Sequence, residues 1–235
     1  MKKVNRYDVE FLVVDDTENS TFWDHSAWEE ENYKKIKEKS FDHTYFVNAG
    51  GWIGPFTLFA SKLFKRVYSL EPDIIAFNEL KRNVEINNYE NVKIYNKAFY
   101  DKVTKINIGS NYSDLGRSGT SIFQEKNSIK VDTITLNKFF ETELINEKTL
   151  LMLDVEGAEY LLFNDFSFFE KYKPTILLSL HLTFLTDTNY NILLSSLEKL
   201  LTIYNFDLDL ITTNRKTLQY NSNFIEINVL MEPKK

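Results

Sequence analysis

The chain has 235 residues, 43% of them hydrophobic and 26% charged, which supplies one sizeable core and argues against a disordered chain. A formal net charge of -6 and a pI near 5.3 weigh against a nucleic-acid binder held by phosphate contacts. With no cysteine, disulfides and thiolate metal sites are excluded. Met1 to Glu10 lacks the apolar stretch of a signal peptide, and no run of apolar residues is long enough for a membrane span. A cytoplasmic protein without membrane contact is expected.

Residues 1–43 read as a helical preface. Its helix runs from about Ser26 to Lys39, with Ala27, Tyr33 and Ile36 as apolar contacts. The lysines at 34, 35, 37 and 39 share this stretch with Glu31 and Glu38, the pattern of a solvated face. From Thr44 strands and helices alternate, and residues 44–235 read as one domain. Thr44–Ala49 is a short apolar strand, followed by a helix from Pro55 to Leu63; proline suits a first helical turn, where its missing N–H has no partner to lose. Arg66–Leu70 reads as a strand, Pro72–Asn87 as a helix, Val92–Asn96 as a third strand and Lys105–Ile108 as an edge strand or hairpin arm. The polar stretch Gly109 to Thr120 reads equally as a ligand-contacting lid and as a hairpin tip. Thr135–Glu141 and Ala158–Phe163 are predicted helices, Leu150–Leu153 and Thr175–Leu180 predicted strands, and Asn189–Leu201 an amphipathic helix. Phe206–Ile211 and Phe224–Leu230 read as closing strands joined without a clear helix, hence an antiparallel edge pair. Apolar strands alternating with helices imply an α/β, doubly wound, mostly parallel sheet covered on both faces. Ligands in such sheets bind beyond the carboxyl ends of the strands.

The first strand ends in Asn48-Ala49-Gly50-Gly51-Trp52-Ile53-Gly54. Its glycines allow a tight turn and a close backbone approach, and the following helix presents free N–H groups. Glu71 ends the second strand, where an acidic side chain accepts hydrogen bonds from a ribose diol; beside Pro72 it also suits a helix N-terminus. Both features fit a dinucleotide enzyme too, but Ala49 stands where G-x-G-x-x-G requires its first glycine. Leu153-Asp154-Val155-Glu156-Gly157-Ala158-Glu159 places two carboxylates at the end of a core strand, suited to a cationic ligand, a metal or proton abstraction. Glu159 reads as helix-surface charge. His181, one of three histidines, ends the next strand and is expected beside Asp154 and Glu156.

These segments resemble the FkbM-type methyltransferases. The likeness is carried by Val47 to Gly54 with Phe56-Thr57, by Tyr68-Ser69-Leu70-Glu71-Pro72-Asp73, and by Leu153 to Glu159. Val131 to Leu136, and Asn96-Lys97-Ala98 followed by Asp101, add to it. It spans about Thr44 to His181. The resemblance implies a seven-stranded Rossmann-like sheet, S-adenosylmethionine as cofactor, and transfer to an oxygen of a sugar or related small molecule. Carried over by position, Asn48, Ala49, Gly50, Gly51, Trp52 and Gly54 form the cofactor loop, Glu71 with Pro72 binds the ribose, and Ala98 and Phe99 flank the adenine. Asp154 and Glu156 lie near the sulfonium and acceptor, with His181 or Glu156 as base. The chain departs from the family pattern at Asn48, at Trp52 and at Ser179. Carboxylates at this position also leave room for Mg²⁺ with water completing its shell. A protein that binds the nucleoside without catalysis, and a nicotinamide oxidoreductase, are the competing readings.

Overall fold

The computed structural model describes residues 1–25, 28–110, 115–124, 126–145, 148–218 and 226–235. It opens with a hairpin for which the helical preface left no place: β1 (Lys2–Arg6) pairs antiparallel with β2 (Val9–Val13). Tyr7 and Asp8 turn the chain with φ of 49° and 67°, the left-handed pair that matches strand twist in a two-residue turn. Next comes α1 (Glu30–Lys39), shorter than the predicted helix, whose Ser26 and Ala27 fall outside the described residues.

The main domain then runs β3 (Tyr45–Ala49), α2 (Pro55–Ser61), β4 (Arg66–Leu70), α3 (Ile74–Ile86), β5 (Val92–Tyr95), β6 (Ala98–Phe99), β7 (Lys105–Ile108), β8 (Ile129–Ile134) and α4 (Leu136–Thr142). It continues with β9 (Thr149–Leu153), α5 (Glu159–Leu162), α6 (Phe166–Tyr172), β10 (Thr175–His181), α7 (Asp187–Leu200), β11 (Tyr204–Asn205), α8 (Leu208–Leu218) and β12 (Glu226–Pro233). Side-chain oxygens fix several helix starts. Asp73, Thr135, Asp165 and Thr186 each accept a first-turn N–H of α3, α4, α6 and α7 respectively.

Seven strands form the central sheet in the order β11-β12-β10-β9-β3-β4-β5. From β5 to β10 neighbours are parallel, while β12 is antiparallel to both β10 and β11. This is the seven-stranded, mostly parallel sheet with an antiparallel edge that the sequence implied. β7 lies outside it, in a small sheet with β6 and β8. The predicted strand Phe206–Ile211 is a correction: the strand is only Tyr204–Asn205, and Leu208 onward is α8. Asp207 Oδ1 accepts the Leu210 N–H at 2.9 Å, and that cap starts a helix where apolar content alone suggested extension. The last two strands are therefore antiparallel as expected but have a helix between them.

Strand alternation divides the core. Val47, Ala49, Leu151, Leu153, Ile176 and Leu178 face one helical layer, and Phe46, Leu150, Met152 and Leu177 face the other. Val4, Phe11, Val13, Trp23, Tyr33 and Ile36 join the second cluster, so the first 43 residues share a core with α2 and β3. The parallel strands all deliver their carboxyl ends to one sheet edge. Gly50, Glu71, Asp154 and His181 emerge there, and antiparallel pairing sets Glu226 opposite His181. Among the described residues no helix is long and apolar enough to cross a membrane.

Candidate active site

A cavity of about 590 Å³ opens at this edge, within the range of small-molecule sites. Gly50, Trp52, Glu71, Pro72, Ala98, Phe99, Asp154, Glu156 and His181 all line it. Asn48, Ala49, Gly51 and Gly54 are not part of its wall. Asn48 is buried beneath the turn, where its Nδ2 donates to Thr57 Oγ1 at 3.2 Å.

The floor is fixed by close backbone contact. Gly50 has φ +88°, and a Cβ there would stand 1.9 Å from the Asp154 carbonyl oxygen. Only glycine lets the β3 turn lie against the end of β9. Glu71 clamps the same turn from the β4 side. Its Oε2 accepts the Trp52 N–H and its Oε1 the Asp73 N–H, both at 2.7 Å. Burial pushes Glu71 up to about 8, against the pull of those two donors.

Trp52 serves packing and anchorage. Its ring meets Phe22 with centroids 4.5 Å apart, and its Nε1 donates to the Gly116 carbonyl at 2.9 Å. Gly116 N–H donates to Asp73 Oδ2 at 2.6 Å, and Asn19 Nδ2 to the Gly116 carbonyl at 3.1 Å. The polar stretch is thus pinned at Gly116, and Arg117 to Ile122 form one side of the cavity. Residues 111–114 of it lie outside the described residues.

Beyond Asp154 the chain exits through Glu156 and Gly157, with φ of +52° and +94°. Ser121 Oγ holds the Glu156 carbonyl at 2.5 Å. His181 is the hub of an acidic cluster. Its Nε2 stands 3.4 Å from Glu156 Oε2, 3.7 Å from Asp154 Oδ1 and 3.8 Å from Glu226 Oε2, and its Nδ1 is 3.4 Å from Glu159 Oε1. Glu159 is thereby corrected: far from being surface charge, its side chain is fully buried against the imidazole, because the sharp exit at Gly157 turns the first residue of α5 inward. Asp154 Oδ1, Glu156 Oε2 and Glu226 Oε1 are shut off from solvent with no hydrogen-bond donor.

The electrostatics arise from one imidazole among many carboxyls. Burial pulls His181 down, but the Glu159 hydrogen bond and the charges of Asp154, Glu159 and Glu156 outweigh it and raise the group to about 10. Burial drives Asp154 well above the usual carboxylate range, with Glu29, Glu156 and Glu226 adding to it against His181. Glu156 is raised by burial too, against the pull of His181. These shifts act in one direction: the acids take up protons chiefly because burial penalises their charge, and His181 because carboxylates surround it.

Sequence reasoning missed Trp28, Glu29, Phe184 and Glu226, which also line the cavity. Glu226 had a signal. With Asn228 it puts polar side chains at alternate positions at the start of β12, before the apolar run Val229 to Met231. Glu29 had none, because its approach depends on a left-handed backbone, φ 46° and ψ 41°, at the start of α1.

Comparison with known proteins accords with this geometry. The family model described as "Methyltransferase FkbM domain" matches residues 48–208. Methyltransferase 1 of Beauveria bassiana (strain ARSEF 2860) is 26% identical over 144 residues, covering 50% of this chain and 56% of that protein. The chain thus spans little more than half the length of this curated relative. Among solved structures, an rRNA methylase from Streptococcus thermophilus superposes with a TM-score of 0.51 at 10% identity, covering 88% of this chain and 96% of that one. At such identity the likeness is one of fold alone.

Proposed function

The chain belongs to the FkbM methyltransferase domain family, and on that premise we propose that it methylates a hydroxyl of a small-molecule acceptor, a sugar or a related compound. Family membership implies S-adenosylmethionine as the donor. The residues present fit it: Gly50, whose lack of a Cβ lets the β3 turn lie against Asp154, lines the cavity, and the carboxylates of Asp154 and Glu156 outnumber the one imidazole between them, which suits a cationic sulfonium. Gly50 and the Trp52 backbone would hold its methionine portion, Glu71 its ribose, and Ala98 and Phe99 its base. When bound, it would supply an electrophilic methyl group whose leaving sulfur is a neutral thioether.

The chain's own residues do the rest. Glu156 accepts the acceptor's hydroxyl proton, since its carboxylate faces the cavity and burial strengthens it as a base. His181 is not the base in this reading, because a group raised to about 10 carries its proton at neutral pH. It acts as an internal cation that holds Asp154 and Glu156 in place. Asp154 orients donor and acceptor, and the wall from Arg117 to Ile122 keeps water out. The excess of carboxylates also turns the reading away from phosphate-bearing nucleic acid as acceptor.

Asp154, Glu156 and His181 offer three ligand atoms within 4.8 Å of one another. An imidazole in the set does not suit Mg²⁺, which takes oxygen donors, and as imidazolium His181 offers it no lone pair. No step is routed through a metal, and a chelator is expected to leave turnover unchanged.

The observation that carries the proposal is the meeting of the glycine turn with Asp154, Glu156 and His181 on one cavity. Calorimetry with S-adenosylhomocysteine, paired with single-turnover assays of Glu156→Gln, tests it. We expect binding within a few-fold of the parent and a rate lower by about 10²–10⁴. No binding of the nucleoside would refute the reading, and binding by the parent with no transfer to any hydroxyl acceptor would leave the non-catalytic alternative standing.

A further inference from the structure

Gly116 is gripped on both its polar groups. Its N–H donates to Asp73 Oδ2 at 2.6 Å, and its carbonyl accepts from Trp52 Nε1 at 2.9 Å and from Asn19 Nδ2 at 3.1 Å. Trp52 and Asp73 are themselves held by one side chain. Glu71 Oε2 accepts the Trp52 N–H and Glu71 Oε1 the Asp73 N–H, both at 2.7 Å. Glu71, Trp52, Gly116 and Asp73 thus close a ring of hydrogen bonds. It joins the side chain proposed to bind the ribose to the start of the cavity wall from Arg117 to Ile122.

Asp73 has no slack in this ring. It is buried, 1% exposed. Its Oδ1 caps α3 by accepting the Ile75 N–H at 2.8 Å, while its Oδ2 takes the Gly116 N–H and, at 3.3 Å, the Thr120 hydroxyl. A carboxylate serves both ends with one oxygen each, where the amide of asparagine has a single acceptor atom. Gly116 has φ +92°, and a Cβ there would stand 2.6 Å from Ile75 Cγ2, so only glycine lies this close to α3.

At its far end the wall reaches the chemistry. Ser121 Oγ donates to the Glu156 carbonyl at 2.5 Å, and paired backbone bonds of 2.9 Å join Ser121 to Gly109. Residues 116–121 therefore form a strap, tied at one end to the ribose clamp and at the other to the backbone of the proposed base. Donor occupancy bears on the strap through Glu71. Burial pushes that group up to about 8, and a ribose diol donating to it would favour the carboxylate, the form that accepts both N–H groups best.

We propose that Asp73 is a positioning residue for methyl transfer: through Gly116 it makes the strap follow the ribose at Glu71, so that the donor binds first and sets the wall that seats Glu156 before the acceptor arrives. The proposal rests on the methyltransferase reading and adds to it an order of binding. Asp73 is not part of the cavity wall and holds no reacting proton; it acts through Gly116 alone.

Hydrogen exchange followed by mass spectrometry on the whole chain, with and without saturating S-adenosylhomocysteine, reads the strap. In the parent the ligand should slow exchange of the amides from Gly116 to Ile122 by about tenfold or more. Asp73→Asn keeps one acceptor for the cap of α3 but turns its amide nitrogen toward the Gly116 N–H. Trp52→Phe keeps a packing ring but removes the donor to the Gly116 carbonyl. Each should cut the ligand-dependent slowing to about twofold or less, while amides of the turn after β3 stay protected by the ligand. A contact that merely stabilised the strap would speed exchange equally in both ligand states and leave their ratio unchanged. An unchanged ratio in both variants, or strap amides in the parent that ignore the ligand, would overturn the proposal. A parent that binds no S-adenosylhomocysteine would instead sink the methyltransferase reading, so the two failures are distinguishable.

Discussion

An imidazole set between Asp154, Glu156, Glu159 and Glu226 is a different reagent from a histidine at a strand end in solvent. Each carboxylate stabilises its proton, so at neutral pH it works as a fixed positive charge. Removing it leaves buried acids facing one another without compensation. His181→Ala should therefore destabilise the fold by about 3 kcal/mol or more, seen as a lower midpoint in urea, and an unchanged midpoint would show that the ring carries no such load. The neighbourhood of Asp154, Glu156 and His181 was legible from the sequence because each ends or follows an apolar strand of a parallel sheet. The state of His181 was not, since it depends first on its hydrogen bond to Glu159, a residue misplaced on the helix surface.

At the scale of elements, the turn after β3 is the part with least freedom. It is pressed on Asp154, clamped by Glu71 through the Trp52 N–H, and stapled to Gly116 by the Trp52 indole. Gly50→Ala would need a left-handed alanine, at roughly 1–2 kcal/mol, and would also force the β9 exit away. We expect loss of nucleoside binding with secondary structure retained, checked by calorimetry and circular dichroism; parent-like affinity would place the cofactor elsewhere. Apolar runs punctuated by glycine and acids made β3, β4, β9 and β10 readable. The hairpin of β1 and β2 was overlooked because a Tyr-Asp turn lacks the usual Asn-Gly signal. α8 was mistaken for a strand because Asp207 acts as a cap only once the chain has turned after β11.

Across the whole molecule the site stores protons. Glu29, Glu71 and His181 hold theirs to about 7, 8 and 10, against 4.5, 4.5 and 6.5 for the free groups. A group whose folded-state value is raised contributes stability that is complete below its unfolded value and is lost as pH climbs through the folded one. All three lie on the same side of that rule. The exposed acids that are lowered, such as Asp16 beside Arg82, act below this window. The thermal midpoint should fall steadily from about pH 4.5 to about pH 10, followed by calorimetric scanning; a flat or rising profile would contradict these proton affinities.

The place of β12 has one more consequence. It is the last described strand to leave the ribosome, yet it lies between β10 and β11, both made earlier. A nascent polypeptide can therefore assemble β3, β4, β9 and β10 while the wall bearing Glu226, and the bond from Asn32 to Asn228, are still missing. Chains stalled before β12 would instead leave β10 as an unpaired edge of the sheet.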